Sequence, residues 1–562
     1  MEYVIFAAAM AALLFVIFAK GMWDERGGKK ALKEQLKRAY GAVPQKEYKP
    51  ERFQRLTGYY VAHPKEGQLD DITWNDLNMD EIFRRMNHSQ SASGEEYLYY
   101  RLRTPEYDSK TLAHQEEMTA WFAAHEEERL KLQLLFGKMG NTGNYSLYDY
   151  LDYLDVLGDE KGTKDILLDL LFVPLIIACF VNISIGLAGL AGLISYNIVS
   201  YFGKKKIIDP YITSFGYVCR LVYSCEEISK LDIPVCRKEW QEIQKSCKAL
   251  EKMRKVAGFV MSGGGINMNG NPLDILMDYV KMAFHIDIIF FYRMLKELRL
   301  HISDVDQLVT QAGSVETAIC IASFRASMKN GWCVPQLFEE GEGKEKPLKL
   351  EEGYHPLLEH PVKNSITASK GVLLTGSNAS GKSTFLKTVA INAILAQTIH
   401  TCSAAAYEGR FYHIYSSMAL KDNLESGESY YIVEIKALKR ILDDQGPWPV
   451  LCFVDEVLRG TNTVERIAAS TQILKSLAKD GLMCFAATHD IELTQLLEKE
   501  YTNYHFEEEV KDGDISFNYR LNPGRATTRN AIRLLEIMGY DQSIIEKASR
   551  RAEHFISTGK WS

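Results

Sequence analysis

Two stretches of this chain abandon the usual interleaving of apolar and polar positions. Residues 3–19 form an unbroken apolar run rich in Ala, Phe, Val, Ile and Leu. That run is just long enough for a helix to cross a bilayer core of about 30 Å. A secretory signal wants a basic start and a small-residue cleavage site, whereas this run follows Met1-Glu2 and leads into Lys20-Gly-Met-Trp. An uncleaved anchor is the expectation. The second stretch, residues 170–202, has no charged residue and is flanked by Lys161, Lys164 and Asp169 before it and Lys204, Lys205 and Lys206 after it. One spanning helix needs far fewer residues, so two short helices are expected, turning around Asn182, Ser184 and Gly186. Ala188 and Gly192 are the expected close-packing pair. Lysines on both flanks want the cytoplasmic side, as do Lys20, Arg26, Lys29, Lys30 and Lys33 after the first run. Three crossings follow, placing the N-terminus outside and the remainder of the chain in the cytoplasm, with cell-membrane, multi-pass localisation.

Elsewhere the apolar period is helical. Residues 95–140 and 211–254 carry apolar side chains at helical spacing among mixed charges, and 273–299 returns to the same pattern, with Phe290, Phe291 and Tyr292 as core. The Gly- and Asn-rich stretch 262–272 reads as a connection, and 339–349 as a charged linker. Beyond it the pattern changes again. Residues 371–375, 450–455 and 482–487 are short, wholly apolar runs ending in polar residues, which suits buried parallel strands of an α/β sheet.

Each of those runs ends in candidate chemistry. The first feeds Gly376, Ser377, Asn378, Ala379, Ser380, Gly381, Lys382 and Ser383, followed by Thr384, a complete phosphate-binding loop between a strand and a helix at 382–397. The glycines let backbone N–H groups converge on phosphate oxygens, and the helix start adds its positive dipole end. Lys382 is placed to reach the β- and γ-phosphates of ATP, and the Ser383 hydroxyl to ligate Mg²⁺. The second run ends in Asp455, which holds the Mg²⁺ through water, and Glu456, which polarises the attacking water. The third ends in Thr488, His489 and Asp490. His489, at a strand end, is expected to sense the γ-phosphate.

With these residues a family resemblance appears. The loop with asparagine at its third position resembles the P-loop of the MutS group, a branch of the ABC-class ATPases. Asp422-Asn-Leu-Glu-Ser-Gly-Glu-Ser429 is similar to that group's signature loop, and Leu458-Arg-Gly-Thr-Asn-Thr463 to the stretch after its Walker B acids. Gly353-Tyr-His355-Pro-Leu resembles the motif whose side chains, His355 here, lie beside the adenine. Residues 527–555 look like the terminal helices that lock two ATPase domains together. Upstream, Ser93-Gly94 and the run to Thr104-Pro105 resemble the opening of the group's helical core, or lever, domain. The resemblance implies a homodimer in which each nucleotide is held between one P-loop and Ser429 of the partner's signature loop. Alone, Ser429 also reads as a helix N-cap.

The expected organisation is therefore multi-domain. An anchor at 1–22 and a linker at 23–74 precede a helical core at 75–335 that carries a transmembrane hairpin at about 166–203. An α/β P-loop ATPase domain follows at 336–525, with a helical dimerisation segment at 526–562. The chain has 562 residues, a net charge of −7 and ten scattered cysteines without a CxxC pair, which argues against both zinc and a disulfide framework. The charge shows no long basic stripe to announce nucleic acid. The resemblance implies DNA as a partner, yet residues 20–82 are too few for the family's mismatch-reading domain. Phe338-Glu-Glu and Phe506-Glu-Glu match the reader's short pattern in the wrong places. Three readings stay open: a membrane-tethered ATPase coupling ATP to DNA binding or clamping, ATP-driven remodelling of a protein partner at the membrane, and an ABC-type transport motor. The short spans, with no intramembrane charge beyond the boundary residue Asp169, weigh against the last.

Overall fold

The apolar runs of the C-terminal region assemble into one sheet in the computed structural model. It describes residues 27–28, 30–46, 48, 53, 55–142, 145–152, 163–253, 279–280, 282–339, 346–377, 380–418, 430–458, 462–479, 481–511, 514–526, 532, 535 and 539–558. The expected anchor at 3–19, the 262–272 connection and most of 527–538 lie outside the described residues. The chain divides into two units: Met1–Pro64, Met86–Tyr100 and Glu117–Phe324 form the first; Lys65–Arg85, Arg101–Glu116 and Arg325–Ser562 form the second.

This division differs from the expected boundary at 335/336, because three pieces of the anticipated helical core, 75–85, 101–116 and 325–335, belong to the second unit. Asp70 caps the helix Asp71–Asp76 by accepting from the Thr73 N–H at 2.7 Å and pairs with Arg440 at 2.9 Å. At the other end of that helix, Asp76 accepts from Ser416 Oγ at 2.7 Å and from the Met418 N–H at 2.8 Å. Fixed polar contacts of this kind hold the helix to the sheet edge and leave no periodic trace in the sequence.

The first unit is helical. Its core gathers Phe122, Phe136, Val222, Ile243, Leu295 and Ile319, and Phe291 is buried within it. The apolar stretch folds back on itself at Asn182. That residue ends the helix Phe172–Val181 and caps Ile183–Ile228, its side chain accepting from the Ser184 and Ile185 N–H groups at 3.1 and 3.3 Å. The arms touch through Gly186 and Gly189: a Cβ there would lie 2.4 Å from Cys179 Sγ or 2.6 Å from Leu175 Cδ2. The expected packing at Gly192 is not made, since nothing lies within 4 Å of a Cβ there. Two positions three apart share a helix face, and the turn selects 186 and 189. A Gly186→Val variant is therefore expected to splay the arms, read as faster amide exchange over 172–190 with the rest of the unit unchanged.

The second arm does not stop at Lys206. It continues as one 46-residue helix. Among the described residues Ile183–Lys206 is the one helix long and apolar enough to cross a membrane by length and composition. The first arm breaks at Leu171 into Thr163–Leu170 and Phe172–Val181, of 8 and 10 residues. Each is too short alone, and only end to end do they reach about 28 Å. The expected pair of transmembrane helices thus has support from length for one arm only.

Around the Ser93-Gly94 motif the first unit buries carboxyls. Glu96 accepts from Ser146 Oγ at 2.7 Å and from the Tyr59 N–H at 3.2 Å, and burial pushes its carboxyl up to about 8 against the opposing hydrogen bonds and Arg55. A carboxyl raised in the folded state favours folding below its unfolded value near 4.5; that contribution is lost as pH rises from there to about 8. Glu96→Gln keeps an acceptor oxygen without the charge. The thermal midpoint is expected to flatten across that window and the variant to gain up to about 5 kcal/mol at alkaline pH.

Among the described residues of the second unit, ten strands form two sheets. They are β1 (Gln336–Phe338), β2 (Leu348–Gly353), β3 (Asn364–Ala368), β4 (Gly371–Thr375), β5 (Ala406–Arg410), β6 (His413–Ser417), β7 (Val450–Asp455), β8 (Leu482–Ala487), β9 (Tyr501–Lys511) and β10 (Asp514–Pro523). The smaller sheet runs β1-β5-β2-β3 and the larger β10-β9-β4-β8-β7-β6. In the larger sheet β4, β6, β7, β8 and β9 are parallel, with β10 as an antiparallel edge. Strands β4 and β7 are buried at every position, as sheets covered on both faces require. The helix Lys382–Thr398 follows β4 and packs on β7 and β8; it is buried nearly all round, with Val389, Ile391, Ile394 and Leu395 fully buried.

Candidate nucleotide site

Parallel strands deliver their C-terminal ends to one edge of the sheet, and the candidate residues lie there. Register places Asp455 of β7 opposite Ala487 of β8, and Leu374 of β4 beside the same residue. Two loop contacts tie the three ends together: the Thr488 N–H donates to Leu374 O at 3.0 Å and the Glu456 N–H to Ala487 O at 2.9 Å.

After β4 the chain turns through Gly376 and Gly381, whose φ of 144° and 105° suit glycine alone. A Cβ on Gly376 would stand 2.9 Å from Phe506 O. Ser380 Oγ closes the loop on Ser377 O at 2.9 Å. Lys382 is buried, its Nζ donating to Gly376 O at 2.9 Å and Ser377 O at 2.7 Å, and it lies 3.4 Å from His489 Nε2. Ser383 Oγ donates to Asp455 Oδ2. His489 Nε2 also lies 2.8 Å from Glu456 Oε1. Lys382, Ser383, Asp455, Glu456 and His489 are thus linked by direct contacts. Asn378, Ala379 and Ser429 with its loop lie outside the described residues, as do Arg459, Gly460 and Thr461.

His355 occupies the far side of the loop. With Asn364, Gly381, Thr384, Phe506 and Tyr519 it lines a cavity of about 360 Å³. Burial, aided by the Lys387 charge, holds the imidazole down at about 4, so the ring is neutral near pH 7. The Leu357 N–H donates to His355 Nδ1 at 3.3 Å, which leaves the proton on Nε2. A neutral, half-apolar cavity beside a cationic loop matches a base next to a polyphosphate.

Several residues of the site carry no sequence signal. Tyr519 sits at a bulge between Phe517 and Leu521 with φ 53°, and its carbonyl accepts from Asn364 Nδ2 at 2.9 Å. Asp490 accepts from Arg466 Nε at 3.0 Å and from Arg466 Nη2 at 2.6 Å, and so fixes the segment that follows His489. Glu434 accepts from the Leu458 N–H and holds the turn after the acidic pair. Only Glu456 and Leu458, with φ of 58° and 59°, betray that turn by their backbone.

The donor set fits a nucleoside triphosphate with a hard divalent cation. Ser383 and Asp455 are oxygen ligands of the kind Mg²⁺ takes. Among the described residues there is no cluster of three acidic, His or Cys side chains that could hold a metal ion. Sheet order, loop and acids are the arrangement that a P-loop nucleoside-triphosphate site requires.

Within that class, residues 372–556 match the family model of MutS domain V. The chain is similar to the DNA mismatch repair protein MutS of Thermus thermophilus, 29% identical over 238 residues, covering 42% of this chain and 28% of the relative. It is 30% identical over 287 residues to that of Listeria innocua, covering 48% and 32%. With that of Methanosarcina barkeri it shares 26% over 275 residues, covering 46% and 30%. The matched part spans less than a third of these relatives' length. Within the second unit, residues 372–556 are thus similar to MutS domain V.

Proposed function

We propose that this chain is a MutS-type ATP hydrolase, working as a homodimer held at a membrane, that couples ATP binding and hydrolysis to DNA binding or clamping. The observation that carries the hydrolase is the contact chain Lys382–His489–Glu456 beside Ser383–Asp455. In this reading Lys382 leaves the Gly376 and Ser377 carbonyls for phosphate oxygens, a charge-assisted exchange that strengthens its hydrogen bonds. Ser383 and Asp455 hold Mg²⁺, which supplies neutralisation of phosphate charge. Glu456 accepts the proton of the attacking water and passes it toward His489, 2.8 Å away. His355 and Tyr519 bracket the base.

Ser429 completes the site from the partner subunit. Lys382→Ala mixed with Ser429→Ala leaves one intact composite site per heterodimer, so the mixture should regain about a quarter of parental turnover under random assortment, whereas each variant alone is inactive. Equal inactivity in mixed and separate samples overturns the trans arrangement. ATP shifts the dimer only through its differential affinity for closed and open forms.

The membrane part is supported by the arms of the hairpin, whose apolar side chains face outward: Phe180 is 88% and Val181 86% exposed, with Ile177, Ile185 and Val199 also out. So large an unpartnered apolar surface marks a lipid or protein contact. The DNA part is supported by the names of the relatives, which are DNA mismatch repair proteins. The second reading, a protein partner at the membrane, is supported by the net charge of −7. Full-length protein in detergent, titrated with homoduplex, mismatched and branched DNA across a salt series with and without ATP, decides between them. Nucleotide-dependent preference for one DNA structure is expected. An intact ATPase that binds no DNA at low salt overturns the DNA part alone.

A further inference from the structure

Cys333 and Cys402 face each other across an isolated antiparallel bridge. The Cys333 N–H donates to Cys402 O at 3.0 Å and the Cys402 N–H to Cys333 O at 2.9 Å. This reciprocal pairing sets Cα atoms about 5.5 Å apart, inside the span of about 4.4–6.8 Å that disulfides take. Both are free thiols. Cys402 Sγ also reaches Asn392 O at 3.4 Å, on the helix that follows the phosphate loop.

The two thiols are unequal. Cys333 is half-buried and open to small oxidants, and the Cys402 thiol beside it holds it below the usual range against the effect of burial, with help from the Tyr407 backbone and the Arg325 charge. Cys402 is fully buried, and burial with the neighbouring Cys333 pushes it well up, so it stays a protonated thiol. One is suited to react first and the other to resolve. A second thiol pair, Cys452 and Cys484, lies in register on β7 and β8 but is buried on every side.

The bridge is bound to the nucleotide cavity on both strands. Tyr354 OH donates to Gly331 O at 2.6 Å, the Tyr354 N–H to Ser403 O at 2.9 Å, and Ser403 Oγ to Tyr354 O at 2.7 Å. The next residue is His355. Asn392 Oδ1 accepts from the Ser403 N–H at 2.7 Å.

We propose that Cys333 and Cys402 form an oxidation site that hydroperoxides close to a disulfide, weakening nucleotide binding through Tyr354 and His355. The coupling to nucleotide rests on the function proposed above; the disulfide itself does not. The Cys333 thiolate attacks the outer oxygen of the hydroperoxide, the O–O bond breaks, and the sulfenic acid and an alcohol (water, for hydrogen peroxide) result. Cys402 then attacks the sulfenic sulfur, its proton leaving with the hydroxyl as water. Two thiols and one hydroperoxide give one disulfide, one alcohol and one water. The sulfurs close to about 2.05 Å, which takes Cys402 off the Asn392 carbonyl and pulls on the strands that hold Tyr354.

The test treats full-length protein with graded hydrogen peroxide, alkylates free thiols after denaturation, and maps the peptides. A 333–402 cross-link reversed by dithiothreitol is expected, with Cys452 and Cys484 still alkylated. Binding of a fluorescent ATP analogue should weaken about tenfold on oxidation, within ordinary site–site coupling, and recover on reduction. Cys333→Ser, and Cys333→Ala as a second variant, should abolish both effects. Absence of the cross-link, or equal loss of affinity in the Cys333 variants, overturns the proposal; a cross-link without change of affinity overturns the coupling. If neither reduced nor oxidised protein binds nucleotide, the ATPase reading fails and the peptide map still decides the disulfide.

Discussion

Lys382→Ala is expected to lower kcat/KM for ATP by about a hundred- to a thousand-fold, the usual cost of deleting one preorganised donor to a reacting oxyanion. The lysine is buried at the start of its helix and donates to two carbonyls of the loop it belongs to. Its removal takes away the one side-chain cation that the described residues place within contact of both the loop and His489. The loop itself has other supports: the Ser380–Ser377 hydrogen bond and the two left-handed glycines do not depend on the ammonium. The variant should therefore fold, with a thermal midpoint close to that of the parent, and lose binding of ATP analogues by equilibrium dialysis. Parental turnover in this variant would overturn the P-loop assignment.

The reason this lysine is legible in the sequence, while other residues of the site are not, is that phosphate chemistry is local along the chain. Gly376 to Ser383 are contiguous, and the types at Gly376, Gly381, Lys382 and Ser383 are dictated by backbone geometry or by a ligand atom. The strands feeding Asp455 and His489 are legible for a similar reason, since a strand covered on both faces must be apolar throughout. Tyr519 fails that test because its place in the cavity depends on a bulge that no residue type announces. The helix Asp71–Asp76 fails differently. Its attachment to the sheet rests on single polar contacts from Asp70 and Asp76 to residues far along the chain, whereas periodicity reports only buried apolar faces. In the hairpin, composition shows that the stretch is apolar but not which glycines meet the other arm, because the face is chosen by the turn at Asn182.

Glu456→Gln separates binding from chemistry. Glu456 has φ 58° and its N–H is tied to Ala487 O, and both belong to the turn rather than to the carboxylate. Strain of about 1–3 kcal/mol in such a conformation is borne equally by glutamine, so the backbone stays put. The amide fills the same space and still reaches His489, but it does not accept a proton from water. Turnover is expected to fall by about a hundred- to ten-thousand-fold, as when a general base is removed, while ATP affinity changes by no more than a few-fold. A dimer that binds ATP without spending it should accumulate in its closed form. Single-turnover hydrolysis and size-exclusion with ATP read these two effects separately. Hydrolysis at the parental rate would show that another group takes the proton, and His489 would then be the residue to replace; slow hydrolysis without a gain in dimer would instead place closure under the control of contacts outside this site.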